Sequence, residues 1–227
     1  MRLFLFSSGS ALPTIVKRAG EQVAGISQPV LGVIPAAQID QLAQAERFAT
    51  AFAGVATLRF LDLEALDDAA FAAALAGCRA VYVPGGNTYL LSQRFHRHHF
   101  MATFAQAVCA GLPLLGSSAG TVFCGPNMLT TNDWNVFATT AFDGLGLTPY
   151  NFNVHFVLPP PEESESRDFR IRQYIQVNRR PVLALEEACY LDWSDTAVLV
   201  RGATAWHYTV AGDRIPLAPG STVAPRG

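Results

Sequence analysis

The sequence predicts an α/β fold: a three-layer sandwich with a mostly parallel central sheet and short antiparallel strands near the C-terminus. Three observations predict it. Short apolar runs alternate with stretches of helical periodicity over the first half of the chain, the rhythm of a parallel sheet with helices on both faces. Beyond residue 180 the rhythm changes to closely spaced short runs joined by tight turns. Half of the 227 residues are apolar, enough to fill the core such a sheet requires.

Residues 2–6 and 29–34 read as buried strands. Residues 37–52 carry apolar side chains at helical spacing, and 56–61 form the next strand. Residues 67–76 are alanine-rich and helical, with Asp67 and Asp68 placed to cap the first turn. A strand over 80–83 ends in Pro84-Gly85-Gly86-Asn87. Helices over 88–95 and 100–110 follow, then a strand over 112–115. Residues 162–177 read as an amphipathic helix behind the stop Pro159-Pro160-Pro161, and strands over 181–185, 189–191, 197–201 and 205–210 close the series. No Pro/Ser/Gly-rich linker and no repeat interrupts the chain, so residues 1–227 read as a single domain.

Charge and composition narrow the function. The net charge is -2, from 16 basic and 18 acidic residues, with no basic stripe, so neither nucleic acid nor an anionic membrane is an expected partner. The opening run Met1-Arg2-Leu3-Phe4-Leu5-Phe6 is broken at once by Ser7-Ser8-Gly9-Ser10, far short of a secretory signal. No segment approaches the ~18 uninterrupted apolar residues of a membrane helix. Cys78, Cys109, Cys124 and Cys189 are scattered without CxxC spacing, as expected of reduced thiols in a cytoplasmic protein.

The chemistry concentrates in Leu114-Leu115-Gly116-Ser117-Ser118-Ala119-Gly120. A strand running into G-x-S-x-G is the arrangement of a nucleophile elbow, whose sharp turn tolerates only small neighbours and selects Ser118 over Ser117. A phosphate-binding or purely structural Gly/Ser turn competes with that reading. A serine hydroxyl needs a base. His96, His98 and His99 crowd a polar helix end without metal-site spacing, and His207 lies in a late strand. His155, in Asn151-Phe152-Asn153-Val154-His155-Phe156, remains as the base. Two acids compete to orient it: Asp133, which could equally make an Asx turn, and Glu187, which could equally be a surface charge. An oxyanion hole would come from the N–H of Ala119 and one in the turn Gly85-Gly86-Asn87.

Together these pieces resemble peptidase family S51, which includes peptidase E (the α-aspartyl dipeptidase) and cyanophycinase, and whose fold is similar to the class I glutamine amidotransferase domain. The match runs the length of the chain in order: Pro84-Gly85-Gly86-Asn87-Thr88, Gly116-Ser117-Ser118-Ala119-Gly120, Thr130-Thr131-Asn132-Asp133, then Asn153-Val154-His155-Phe156. The separations 118 to 133 and 118 to 155 are similar to those of the dipeptidase branch. The resemblance implies Ser118 as nucleophile, His155 as base and Glu187 as its orienting acid, with Asp133 near the substrate amine or supporting the site loop. Gly86 and Ala119 supply the oxyanion hole, and Asn87 borders the substrate. Residues 165–167 resemble a Glu-Thr-Arg segment in which the arginine, here Arg167, grips the substrate's aspartyl carboxylate. A basic residue on an exposed helix face is the competing reading of Arg167.

What the resemblance implies is a cytoplasmic, homodimeric serine peptidase that needs no metal or organic cofactor and cleaves short peptides, above all dipeptides with N-terminal aspartate. A same-fold aminopeptidase or cyanophycinase-like hydrolase of other specificity, or a non-catalytic binding domain, are the alternatives. Ser117 stands where the dipeptidase has tryptophan, and Thr121-Val122-Phe123 and Ala188-Cys189-Tyr190 also depart from its pattern. Ser117 and Phe123 are therefore expected to reshape the pocket.

Overall fold

The computed structural model describes residues 1–41, 43–158 and 167–225. The chain opens with β1 (Arg2–Phe6), one 3₁₀ turn at Gly9–Ala11, and α1 (Leu12–Val23). There follow β2 (Val30–Val33), α2 (Ala45–Ala51), β3 (Thr57–Phe60), α3 (Asp68–Ala76) and β4 (Ala80–Val83). α4 (Thr88–Arg97), α5 (Met101–Cys109), β5 (Leu114–Ser117) and α6 (Ala119–Val122) complete the first half. Then come β6 (Asn151–Asn153), α7 (Arg167–Asn178), β7 (Val182–Leu185), β8 (Tyr190–Ser194), β9 (Val198–Arg201), β10 (Ala205–Tyr208), β11 (Arg214–Leu217) and β12 (Thr222–Val223).

Among the described residues, eight strands form the main sheet in the order β12-β9-β8-β1-β5-β4-β2-β3. The five from β1 to β3 are parallel, and β8, β9 and β12 extend the sheet antiparallel from the β1 edge. One face packs Phe4, Phe6, Val33 and Tyr82 under α1 and α2, through Ile15, Ala19, Phe48 and Phe52. The other packs Leu3, Leu5, Val81 and Leu114 under α3 to α5, through Phe71, Phe95 and Phe104. Each buried phenylalanine contributes roughly 1.5–3 kcal/mol of transfer free energy. The layers are helix, sheet, helix, as the alternating pattern predicts.

The late strands divide in a way that periodicity does not reveal. A second sheet runs β11-β10-β7-β6, with β6 and β7 parallel and the other pairs antiparallel. Phe152, Leu183, Leu185 and Ala205 of this sheet join the main core, while α7 covers Val182, Ala184 and Tyr208 through Ile171 and Ile175. Only the second half of the helix expected over 37–52 forms, as α2. Residues 36–38 instead brace the 85–87 turn: the Asn87 N–H donates to the Ala37 carbonyl, and Arg94 donates to the carbonyls of Ala36 and Gln38. Residues 159–166, the proline stop and the expected first turn of the late helix, lie outside the described residues. No helix among the described residues is long and apolar enough to cross a membrane.

Candidate active site

β5 delivers Ser118 to the carboxyl edge of the parallel strands, where open α/β sheets bind ligands. Its backbone stands at φ 51° and ψ -113°, a region that costs a non-glycine residue on the order of 1–3 kcal/mol. Hydrogen bonds over-determine that conformation. The Ser118 N–H donates to the Phe6 carbonyl at 3.0 Å, and its carbonyl accepts from Thr121 and Val122. The Thr121 hydroxyl lies within reach of the Phe6 and Gly116 carbonyls at 2.7 and 2.9 Å. Glycine at 120 is a requirement of packing, since a Cβ there would collide with the Val83 carbonyl of the neighbouring strand.

His155 follows β6 in the second sheet and also takes a positive φ, 53°. Its Nε2 lies 3.0 Å from the Ser118 hydroxyl, and its Nδ1 lies 2.5 Å from Glu187 Oε2. A proton on Nδ1 facing the carboxylate leaves Nε2 free to accept from the serine. Glu187 sits in the crossover from β7 to β8. Burial alone would raise its carboxyl, but Ser8, His155 and Ser10 outweigh it by hydrogen bonding and hold the group below the ordinary glutamate range. These donors hold the carboxylate that faces Nδ1 in its ionised form. Main sheet, second sheet and the crossover between them supply one residue each.

The Gly85-Gly86 turn closes on the same spot. A Cβ at Gly85 would come within 2.9 Å of the Ser118 Cβ, so only glycine lets the turn approach Ser118 this closely. Ala119 opens α6, where no intrahelical carbonyl can accept its N–H. These two backbone segments flank the Ser118 hydroxyl.

A profile of peptidase family S51 matches residues 3–201. The chain belongs to peptidase family S51. It is 37% identical over 115 residues to "Peptidase E" of Streptomyces coelicolor, covering 49% of this chain and 47% of the relative. It is 34% identical over 145 residues to the "Probable alpha-aspartyl dipeptidase" of Drosophila melanogaster, covering 62% and 56%. The chain thus spans about half the length of these curated relatives. A peptidase crystal structure from an acI-B1 Actinobacterium superposes with a TM-score of 0.73 at 17% identity, covering 98% of this chain and 96% of that one, which is a likeness of fold.

Within this S51 chain the remaining expected residues fall in three places. Asp133 does not reach the imidazole. Its Oδ2 accepts from the Thr88 N–H at 2.7 Å, the Thr88 hydroxyl at 2.6 Å and the Thr131 hydroxyl at 3.2 Å, so it ties the 130–133 loop to the start of α4. Asn87 caps the same helix: its Oδ1 accepts from Tyr89 and Leu90, and its amide donates to the Trp134 carbonyl. Arg167 begins α7 and donates to the Val154 carbonyl at 3.4 Å, one residue from His155. Burial and the charge of Arg170 lower its pKa, opposed by Glu187.

Ser117 is fully buried and bonds the Tyr82 hydroxyl at 2.9 Å, and Phe123 is fully buried against Phe95, so neither side chain lines an open pocket. His98 meets a carboxylate that the local sequence does not contain, Glu64, at 2.9 Å. Among the described residues no three His, Cys, Asp or Glu side chains group as a metal site. Sequence reasoning passed over Ser7, Ser8 and Ser10, although a serine cluster directly beyond a parallel strand lies at the edge where sites form.

Proposed function

We propose that the chain is a serine peptidase that cleaves short peptides, above all dipeptides with N-terminal aspartate, through an acyl-enzyme. The observation that carries the proposal is the hydrogen-bonded line Ser118–His155–Glu187 with the nucleophile on a strained elbow. In this reading Ser118 attacks the peptide carbonyl while His155 Nε2 takes its proton. Glu187 stabilises the imidazolium, and the N–H groups of Gly86 and Ala119 face the developing oxyanion. His155 then protonates the departing amine, and water drawn on by the same imidazole releases the acyl group. These residues account for every proton transfer, so the mechanism calls for no metal or organic cofactor.

The substrate class is supported by the relatives' names and by Arg167, whose planar guanidinium suits the side-chain carboxylate of an N-terminal aspartate. Asp133 and Asn87 serve by bracing the oxyanion turn. The same reading takes residues 1–227 as one domain acting in the cytoplasm as a homodimer. The test is turnover of an Asp-X dipeptide panel beside Ala-X, Leu-X and β-Asp-Arg. Asp-X peptides should be preferred, and Ser118→Ala should lower kcat by about 10⁴-fold or more with folding intact. Full turnover in that variant would end the proposal, and a preference for β-Asp-Arg would move the specificity to the cyanophycinase branch.

A further inference from the structure

β1 ends between the two halves of the site, and its last residues touch both. The Phe6 carbonyl holds the Ser118 N–H, as described. The next residue, Ser7, is fully buried. Its Oγ accepts the His155 N–H at 2.8 Å and donates to the Leu185 carbonyl at 2.9 Å, two residues before Glu187. Farther along the same turn, the Ser10 hydroxyl donates at 3.3 Å to Glu187 Oε1, the oxygen that does not face the imidazole. The Ser8 hydroxyl accepts the Ser10 N–H at 3.0 Å and so fixes the shape of the turn.

We propose that Ser7 and Ser10 are positioning residues: Ser7 sets where the His155 backbone leaves its strand relative to Ser118, and Ser10 steadies the Glu187 carboxylate behind the imidazole. The proposal rests on the peptidase reading of this site. His155 holds a left-handed backbone that relaxes unless anchored, and Ser7 anchors it to the rigid end of a central strand. Phe6 and Ser7 thereby refer nucleophile and base to one dipeptide. A base displaced by about 1 Å can lose on the order of 10²-fold in rate. Ser10 acts on the acid both by orientation and by favouring its ionised form. The other groups facing that carboxylate are Ser8, the His155 imidazole and the Arg167 charge; the adjacent Glu186 is engaged by the Trp206 indole at 3.0 Å.

The experiment compares Ser7→Ala, Ser7→Thr and Ser10→Ala with the wild type. Steady-state kinetics across pH are combined with ¹⁵N NMR titration of the His155 ring, and thermal melts verify folding. Ser7→Ala should lower kcat by about 10- to 100-fold with KM within about twofold, and Ser7→Thr, which keeps the hydroxyl, should recover most of that loss. Ser10→Ala alters an exposed side chain and should fold. Removing a donor from the carboxylate favours the protonated pair, so the acid limb of kcat/KM and the imidazole titration should both move to higher pH. Wild-type kcat in Ser7→Ala, or an equal loss in Ser7→Thr, overturns the role of Ser7. If Ser7→Ala does not fold, the Ser7→Thr kinetics decide that half. An unmoved imidazole titration in Ser10→Ala overturns the role of Ser10. The NMR readout needs no substrate: a chain without peptidase activity but with a moved titration loses only the functional reading, and an active chain with an unmoved one loses only the role of Ser10.

Discussion

Ser118 occupies a backbone conformation that a strand end does not adopt unaided, and the contacts that impose it explain why the position can be read from spacing. The close approach of residue 120 to the Val83 carbonyl demands glycine, so the elbow writes itself into the sequence. The acid leaves no such mark. Asp133 and Glu187 both sit in polar stretches, and Glu187 lies 32 positions from the histidine it touches. What separates them is tertiary: three donors converge on Asp133 at the start of α4, whereas Glu187 alone meets Nδ1. The two should therefore part company on substitution. Glu187→Gln keeps the size of the acid but loses its charge, and kcat should fall by about 10²- to 10⁴-fold with Tm nearly unchanged. Asp133→Ala removes a helix-start acceptor and should cost about 1–2 kcal/mol of stability, read as a lower Tm, with kcat falling less than tenfold. A reversal of this pattern would return Asp133 to the imidazole.

Elements were legible where caps and punctuation agree with packing. The Asp67 carboxylate accepts the Ala70 N–H at 2.8 Å, as its position before an alanine-rich run implies. α1 stands where the sequence pattern assigns no element, because Ser7-Ser8-Gly9-Ser10 and Pro13 interrupt any helical run near its start. Yet proline near a helix start is favourable, and Ile15, Ala19 and Val23 recur at four-residue spacing on its buried face. α7 matters most for function, since Arg167 is its first residue. Its clamp is Asp168, which accepts from Tyr208 at 2.6 Å and from Arg172 and Arg214 at 2.8 Å. Burial raises the Asp168 carboxyl, but those three partners outweigh it and leave the pKa below the ordinary value. A depressed carboxyl stabilises the fold above its unfolded pKa and loses that contribution as pH falls through the folded one. Asp168→Asn should therefore lower stability by about 1–3 kcal/mol at neutral pH. The Tm gap to wild type should start to close near pH 3.8, the unperturbed value, and shrink further in more acid buffer. KM for Asp-X peptides should rise as Arg167 loosens. A gap that is constant from pH 7 to pH 3 would show that the clamp is not ionic.

At the scale of the whole molecule the site is a seam. Ser118 ends a strand of the main sheet and His155 follows a strand of the second, so their 3.0 Å contact depends on how the sheets are held together. Nothing in the local pattern reveals this, because short apolar runs look alike whichever sheet they join, and register is decided by partners far along the chain. The pin is aromatic. Trp193, buried in β8 of the main sheet, meets Phe152 of β6 edge-on at 6.4 Å between ring centroids, and Tyr150 at 6.0 Å. Phe152 lies three residues before His155, so the packing that joins the sheets also positions the imidazole. Phe152→Ala should cost about 3–5 kcal/mol of stability, since a buried ring leaves a cavity that the surroundings only partly fill. If the seam governs the site, kcat measured well below the lowered Tm, where the chain is fully folded, should still fall by about tenfold or more. Phe104→Ala, an equally buried ring of the same core that packs on Phe71 and Phe95 of α3 and α4 rather than on the second sheet, should lose similar stability but keep its kcat once folded. Equal kcat losses in the two variants would make the seam no more than a share of the common core.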